Sequence, residues 1–304
     1  MRKLQMSSVT SRVKEIKQPR GGYIKPSMFS KTVFDDGIVL NESENVHASI
    51  IGMVVDYMTR FLMTGNAEDA FRISITGYCR RVAFLSDSTS EKDVKKSGIL
   101  KEDKELSQEE AKQFIMTNDG DNSGFKLLRR IKGLDDDSIV AACKNATYDV
   151  WYRNIMWAMM AKGADDINPD KQTVDNIRTL IQRSLSFWNK VGPISSEGFV
   201  FAEKDSKENI IKSGYTSTVD SGDGDYLTED TMWDFKVSKS GITSQNTLQI
   251  LMYYIMGQHS DMDVYKSIKK LGFFNPRLNT MYVLDVDTIS DDVIKAVETE
   301  VICY

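Results

Sequence analysis

The stretch Ser221-Gly-Asp-Gly-Asp-Tyr-Leu-Thr-Glu-Asp-Thr-Met-Trp-Asp-Phe-Lys-Val-Ser238 decides how this chain is read. Its second half, TMWDFKVS, alternates as a strand does. Trp233, Phe235 and Val237 point to one face, while Asp234 and Lys236 share the other, so an acid and an ammonium stand side by side. Its first half supplies another acid. If YLTEDTMW is a hairpin with Glu229-Asp230 at a two-residue tip, Thr228 pairs with Thr231 and Asp225 lies opposite Asp234. Glu-Asp is not a favoured tip for such a turn, and a one-residue slip would send the two carboxylates to opposite faces.

Like charges directly opposed destabilise a hairpin unless something neutralises them, and a divalent cation between the oxygens does so. Two acids and a lysine around a hard cation suit hydrolysis of a phosphodiester. The metal polarises the phosphate and lowers the pKa of a bound water, and the lysine orients that water or stabilises the growing negative charge. The Asp/Glu-x-Lys tripeptide alone carries little weight, since it also begins at Glu15, Asp93, Glu102, Glu110 and Asp205. The strand context singles out Asp234. The competing readings are a surface ion pair for Asp234 and Lys236, and an ordinary Gly/Asp turn for Gly222 to Asp225.

Around this stretch the texture is that of an α/β protein. GFVFAE, GYTSTVDSGDGDYL, TMWDFKVS and TMYVLDV read as strands, with helices over Ser244–Gly257 and in the closing DDVIKAVETEVICY. Upstream the period is helical. Apolar residues recur from Asn45 to about Gly65, a short helix is expected from about Ser107, and two more patterns cover 137–163 and 170–190. The Met and aromatic stripe of the first of these, Tyr148 to Met160, is the kind normally buried as core. Residues 1–44, interrupted by QPRGGYIKPS, read as a basic arm or irregular entry segment, with 45–304 a single domain.

Composition excludes several classes. In 304 residues there are three cysteines and two histidines, too few for a disulfide framework or a cysteine- or histidine-rich metal site. A metal here is therefore held by carboxylates, which favours Mg²⁺ or Mn²⁺. No apolar run is long enough to span a membrane and the start lacks a secretory pattern, so no membrane partner and a cytoplasmic location are expected. The net charge is −5, but it is unevenly spread. Residues 1–25 carry seven cations against Glu15, whereas residues 219–234 carry six acids and no cation.

Gly222-Asp223-Gly224-Asp225, then Trp233-Asp234-Phe235-Lys236, then Gln249-Ile-Leu-Met-Tyr253 resemble, in order and spacing, the motifs of the PD-(D/E)XK nuclease superfamily, in its RecB-type branch with a Gln-x-x-x-Tyr helix. The resemblance covers mainly residues 47–60 and 214–257. It implies a restriction-endonuclease-like core, with a mixed central sheet of about four or five strands flanked by helices and a large helical portion ahead of it. It also implies that Asp225 and Asp234 bind Mg²⁺, with Mn²⁺ as a substitute, that Lys236 assists catalysis, and that Gln249 and Tyr253 lie near the site or the DNA backbone. Gln245, Gln249 and Tyr253 share one helix face in any case. The family's earlier Gly-x-x-x-His has its counterpart in Gly52 to Asp56, with Asp in place of His, which makes Asp56 the candidate third ligand.

The activity implied is metal-dependent DNA hydrolysis, exonucleolytic rather than endonucleolytic, in DNA repair or recombination. No GxxxxGK[ST] loop is present for a fused motor, so a helicase or recombination partner would be a separate chain. Two other functions compete. One is a DNA-binding or assembly protein that keeps the scaffold without cutting, and the other is a phosphohydrolase acting on RNA or nucleotides.

Overall fold

A computed structural model describes residues 7–100 and 105–304. The chain forms two compact units. One takes residues up to Ile38 together with Ser186–Tyr304, and the other is Val39–Leu185. Arg2 and Lys3, cations of the expected basic arm, and the tripeptide at Glu102 lie outside the described residues.

The strands in chain order are β1 (Ser7–Ser8), β2 (Ser30–Val33), β3 (Ser196–Glu197), β4 (Ala202–Lys204), β5 (Ile210–Ser213), β6 (Val219–Ser221), β7 (Tyr226–Leu227), β8 (Thr231–Phe235), β9 (Lys270–Asn275) and β10 (Thr280–Asp285). Six of them form one mixed sheet in the order β2-β10-β9-β8-β7-β3. β1 pairs with β6 in parallel, and β4 with β5 as an antiparallel ribbon. The chain is thus α/β with a mixed central sheet, as expected, but the sheet has six strands rather than four or five.

The extra strands explain the miscount. β2 is Ser-Lys-Thr-Val with all four residues exposed, an edge strand with no apolar alternation to reveal it, recruited by antiparallel pairing with β10. β9, Lys-Leu-Gly-Phe-Phe-Asn, is buried on both faces and so lacks the period-2 signal. It is the parallel neighbour of β8. A parallel pair needs a long crossover, which the helix Ser244–His259 and the short helix Asp263–Lys266 provide.

The described part of the presumed arm is built into the fold. Val9–Glu15 is a helix capped by Ser8, and its Val9 and Val13 enter the core beneath the Ser244–His259 helix with Leu248, Leu251, Met252 and Ile255. Two buried valines in seven residues are too short a pattern to show in sequence. On the opposite face of the sheet, Trp233, Phe235 and Phe274 pack on Phe187 and Trp188, with Phe187 stacked on Phe274 at 4.0 Å. β8 is therefore covered on both sides, and all five of its residues are buried.

The second unit is helical. Its longer helices are Ala48–Thr64, Arg72–Ser86, Gln108–Asn118, Asp136–Ala146 and the greater part of Lys171–Val191. The helix expected from Ser107 forms, with Ser107 and Glu110 making a reciprocal cap. His47 is an exposed N-cap for Ala48–Thr64, its ring nitrogen accepting the Ser49 N–H. The 137–163 pattern breaks into Asp136–Ala146, Asp149–Arg153 and Ile155–Ala158. Its Met and aromatic stripe corrects the expectation of core: Tyr148 is buried, but Met156, Trp157 and Met160 are 68%, 65% and 75% exposed. No helix among the described residues is long and apolar enough to cross a membrane.

Candidate active site

The hairpin adopts the register expected from its sequence. β7 and β8 pair Tyr226 with Trp233 and Leu227 with Met232, and the Thr228 N–H donates to the Thr231 carbonyl at 3.0 Å. The ladder ends at Tyr226, and Asp225, the residue before β7, would fall opposite Asp234 if the same register were continued by one step. The unfavoured tip is held from outside, because the Asp230 carbonyl accepts the N–H groups of Lys269 (2.7 Å) and Lys270 (3.0 Å) and its carboxylate accepts the Lys270 ammonium at 2.8 Å. Contacts with the start of β9 thus replace intrinsic turn preference.

Asp225 Oδ2 accepts the Phe235 backbone N–H at 2.7 Å, which ties the first acid to the strand bearing the second. Gly224 before it is required by close approach: a Cβ there would lie 1.9 Å from the Phe199 ring. Asp234 is 3% exposed. Lys236 Nζ approaches its Oδ2 to 2.6 Å as an ion pair, and no donor completes a hydrogen bond of ordinary geometry to that oxygen among the described residues. Lys236 itself is fixed by donating its backbone N–H to the Phe274 carbonyl at 3.0 Å.

The crossover helix completes the group. Thr243 caps it in a reciprocal pair with Asn246, and its buried residues seat one side on the sheet. The Lys236 ammonium donates to Gln249 Oε1 at 3.2 Å, and Gln249 Nε2 donates to the Tyr253 hydroxyl at 2.9 Å. Asp234, Lys236, Gln249 and Tyr253 therefore form one chain of polar contacts, with Asp225, just before β7, hydrogen-bonded to Phe235 beside it. Gln249 and Tyr253 are one helical turn apart, the spacing that lets them touch.

Electrostatics follow from burial. Burial pushes the Asp234 carboxyl above its usual range, opposed by the Lys236 ammonium. For Lys236 burial works to lower the pKa, but the charges of Asp234 and Asp225 outweigh it and the net shift is upward, so the ammonium is retained. Burial first, and Asp234 second, hold the Tyr253 phenol well above its ordinary value. The cluster holds two acids and one cation.

Asp56 belongs to the helical unit, on the Ala48–Thr64 helix, where its carboxylate pairs with Arg60 at 3.0 Å. The unit bearing Asp225, Asp234, Lys236, Gln249 and Tyr253 is the other one. Among the described residues no group of three or more His, Cys, Asp or Glu is placed to hold a metal. Two carboxylates are what the site offers. That donor set suits Mg²⁺, which keeps several waters and is commonly bound through one or two carboxylates plus substrate phosphates.

Sequence reading missed Asn275. Buried at the end of β9, it donates from Nδ2 to the carbonyls of Ser238 (2.9 Å) and Ser240 (3.1 Å), holding the loop that leads from Lys236 into the crossover helix. Its Oδ1 accepts the N–H groups of Arg277 and Leu278. The only sequence signal was turn chemistry in NPRLN, which says nothing about the neighbouring loop.

The fold and site define an α/β protein whose mixed sheet and crossover helix converge on two acids, a lysine, a glutamine and a tyrosine. Comparison with protein-family models, curated proteins and solved structures finds no match.

Proposed function

We propose that this chain is a Mg²⁺-dependent deoxyribonuclease of the PD-(D/E)XK type, cutting exonucleolytically in DNA repair or recombination. The observation that carries the reading is the run of contacts from Asp234 through Lys236 and Gln249 to Tyr253, with Asp225 tied to the Phe235 backbone beside them. These are the residues whose order and spacing resemble the family's motifs, and they meet in space although up to 28 positions separate them, from Asp225 to Tyr253.

Asp225 and Asp234 would hold the ion. When bound, it would polarise a phosphate and lower the pKa of a coordinated water. Lys236, kept cationic by its two acidic neighbours, places a positive charge where negative charge develops on the phosphate oxygens. Gln249 holds the ammonium and Tyr253 holds Gln249. In the hydrolysis a water oxygen bonds to phosphorus, the ester P–O bond breaks, and the leaving oxygen takes up a proton.

The test is cleavage of end-labelled linear and closed-circular DNA in Mg²⁺, Mn²⁺ or EDTA, with Lys236→Ala and Asp234→Asn beside the wild type. Metal-dependent loss of linear but not circular DNA, absent from both variants, is the expected result. Binding without cleavage across substrates and metals would make this a non-cleaving DNA-binding protein, and preferential hydrolysis of RNA or nucleotides a phosphohydrolase.

A further inference from the structure

The basic segment near the start of the chain lies against the first turn of the crossover helix, in the same unit as the cluster around Asp234. Tight contacts place it there. The chain turns at Pro19–Gly22, where the Gly22 N–H donates to the Pro19 carbonyl at 2.8 Å, and a Cβ on Gly22 would lie 2.8 Å from Ser244 Cβ. Gly22 also has φ of +95°, so backbone conformation and close approach both call for glycine. Two residues on, the Ile24 carbonyl accepts the Thr247 hydroxyl at 2.6 Å. Arg20, within the turn, and Lys25, whose side chain runs alongside Gly21, are both exposed.

The loop from Lys236 to that helix brings a third cation. Lys239 is exposed between Ser238 and Ser240, whose carbonyls are both held by Asn275, at 2.9 and 3.1 Å. The loop also meets the edge of the sheet. A Cβ on Gly241 would lie 3.1 Å from the Tyr282 hydroxyl, and Tyr282 is the cross-strand partner of the exposed Lys31 in β2, so Lys31 leaves the sheet on the same face. Arg20, Lys25, Lys31 and Lys239 thus border one loop and one helical turn, with Lys236 at one end of that stretch and Gln249 just beyond the other.

Charge is one-sided here. Residues 11–34 and 237–248 carry seven cations and one acid, Glu15, which pairs with Arg12 at 3.5 Å. The other acids that touch or directly follow these segments are Glu300, which accepts the Tyr23 hydroxyl, and Asp35 and Asp36, which accept the N–H groups of Gly37 and Ile38. Set against all four acids, the cations keep an excess of three positive charges. The opposite flank of the cluster has the other sign. Gly222, where a Cβ would lie 3.5 Å from the Tyr253 ring, stands between the exposed Asp220 and Asp223.

We propose that Arg20, Lys25, Lys31 and Lys239 form a phosphate-binding rim that carries the DNA backbone to the cluster over the start of the crossover helix, on the side away from Asp220 and Asp223. Cations that neutralise phosphates release the counterions held there, so such a rim sets affinity and its salt dependence without reading sequence. The inference rests on the nuclease reading for the position of the scissile phosphate, and on the local positive excess for the polyanion beside it.

The experiment is fluorescence anisotropy of labelled DNA in EDTA, across a salt series, with the wild type, Arg20→Glu, Lys239→Glu and Lys207→Glu. Lys207 is an exposed lysine between β4 and β5, so its reversal changes net charge equally at a place away from the rim. Unchanged melting temperatures establish that the variants fold, and Arg20→Gln and Lys239→Gln repeat the test with a smaller change of charge. Each rim reversal weakens binding about 10-fold and lowers the slope of log affinity against log salt by roughly one, while Lys207→Glu binds within about twofold of wild type. Wild-type affinity in both rim variants, an equal loss in Lys207→Glu, or no DNA binding by the wild type overturns the proposal. Because EDTA suppresses metal-dependent cutting, the two readings separate. Rim-dependent binding without cleavage in Mg²⁺ defeats only the nuclease reading, and cleavage whose KM is unchanged in the rim variants defeats only this one.

Discussion

Asp225 Oδ2 accepts the backbone N–H of Phe235 at 2.7 Å, so the carboxylate that precedes β7 is anchored to the residue between Asp234 and Lys236 at the end of β8. This bond fixes the separation of the two acids by backbone geometry rather than by side-chain preference. It also separates the effects of two substitutions. Asp225→Asn keeps an acceptor for Phe235 and loses only charge, whereas Asp225→Ala loses both. We expect the Asn variant to melt within a few degrees of wild type while cleavage falls on the order of 100-fold or more, and the Ala variant to lose about 1–3 kcal/mol as well, read by urea unfolding.

Ion binding by the two carboxylates can be measured without any substrate. Millimolar Mg²⁺ should raise the melting temperature of the wild type, since a ligand that binds only the folded state stabilises it by mass action. Asp234→Asn should abolish the rise. An equal rise in the variant would place the ion elsewhere.

Gln249 is held between Lys236 and Tyr253, so Gln249→Leu removes the acceptor of the ammonium without touching either acid. Cleavage should fall roughly 10-fold or more while Mg²⁺ still raises the melting temperature, the pattern of a residue that positions another. Gln249→Glu, which restores an acceptor, should recover part of the loss. Failure of both variants to bind Mg²⁺ would instead assign Gln249 to the ion.

Gly224 admits no side chain because Phe199 covers it. Gly224→Ala should cost about 1–3 kcal/mol through overpacking, and combining it with Phe199→Leu should cost less than the sum of the two. Additive losses in the double mutant would show that the two positions are not in contact.

Asp135 caps the Asp136–Ala146 helix by accepting the Ser138 N–H at 2.9 Å and its hydroxyl at 2.8 Å, which holds the carboxyl below its usual pKa. A depressed folded-state pKa means stability that is present above the unfolded value and lost as pH falls through the folded one. Asp135→Ala should therefore destabilise the protein at pH 7 by about 0.5–1 kcal/mol, discounted for an exposed cap, and the gap to wild type should close below the ordinary carboxylate range. A gap that persists in strong acid would rule out a charge-dependent cap.

Cys143 is fully buried, and burial pushes its thiol up to about 12. A thiol-reactive dye should leave it unlabelled in native protein and reach it only on unfolding, while the exposed Cys79 reacts in the native state. Rapid native labelling of Cys143 would mean that the helical unit opens locally.

Much of the site was legible in sequence because it is local. Alternation in TMWDFKVS put Asp234 and Lys236 on one face, counting back through the hairpin put Asp225 across from Asp234, and the helical repeat put Gln249 one turn before Tyr253. Each of these depends on periodicity within a single element or one short turn. The α/β class followed from the same periodicities, and so did the helical run ahead of the sheet.

Tertiary structure alone decided what depends on neighbours distant in the chain. β2 has no pattern of its own and exists because β10 offers it an edge, while β9 is wrapped on both faces and shows no alternation. The contact of Lys236 with Gln249 needs the crossover helix to lie over the sheet, which local repeats do not specify. The stripe from Met156 to Met160 looked like core because sequence records that residues are apolar, not whether a partner surface reaches them. The division into two units, with Asp56 in one and the paired aspartates in the other, is likewise set by long-range packing. Local hydrogen bonding and side-chain period are written residue by residue, but burial is a property of the assembled surface, and only the folded chain determines it.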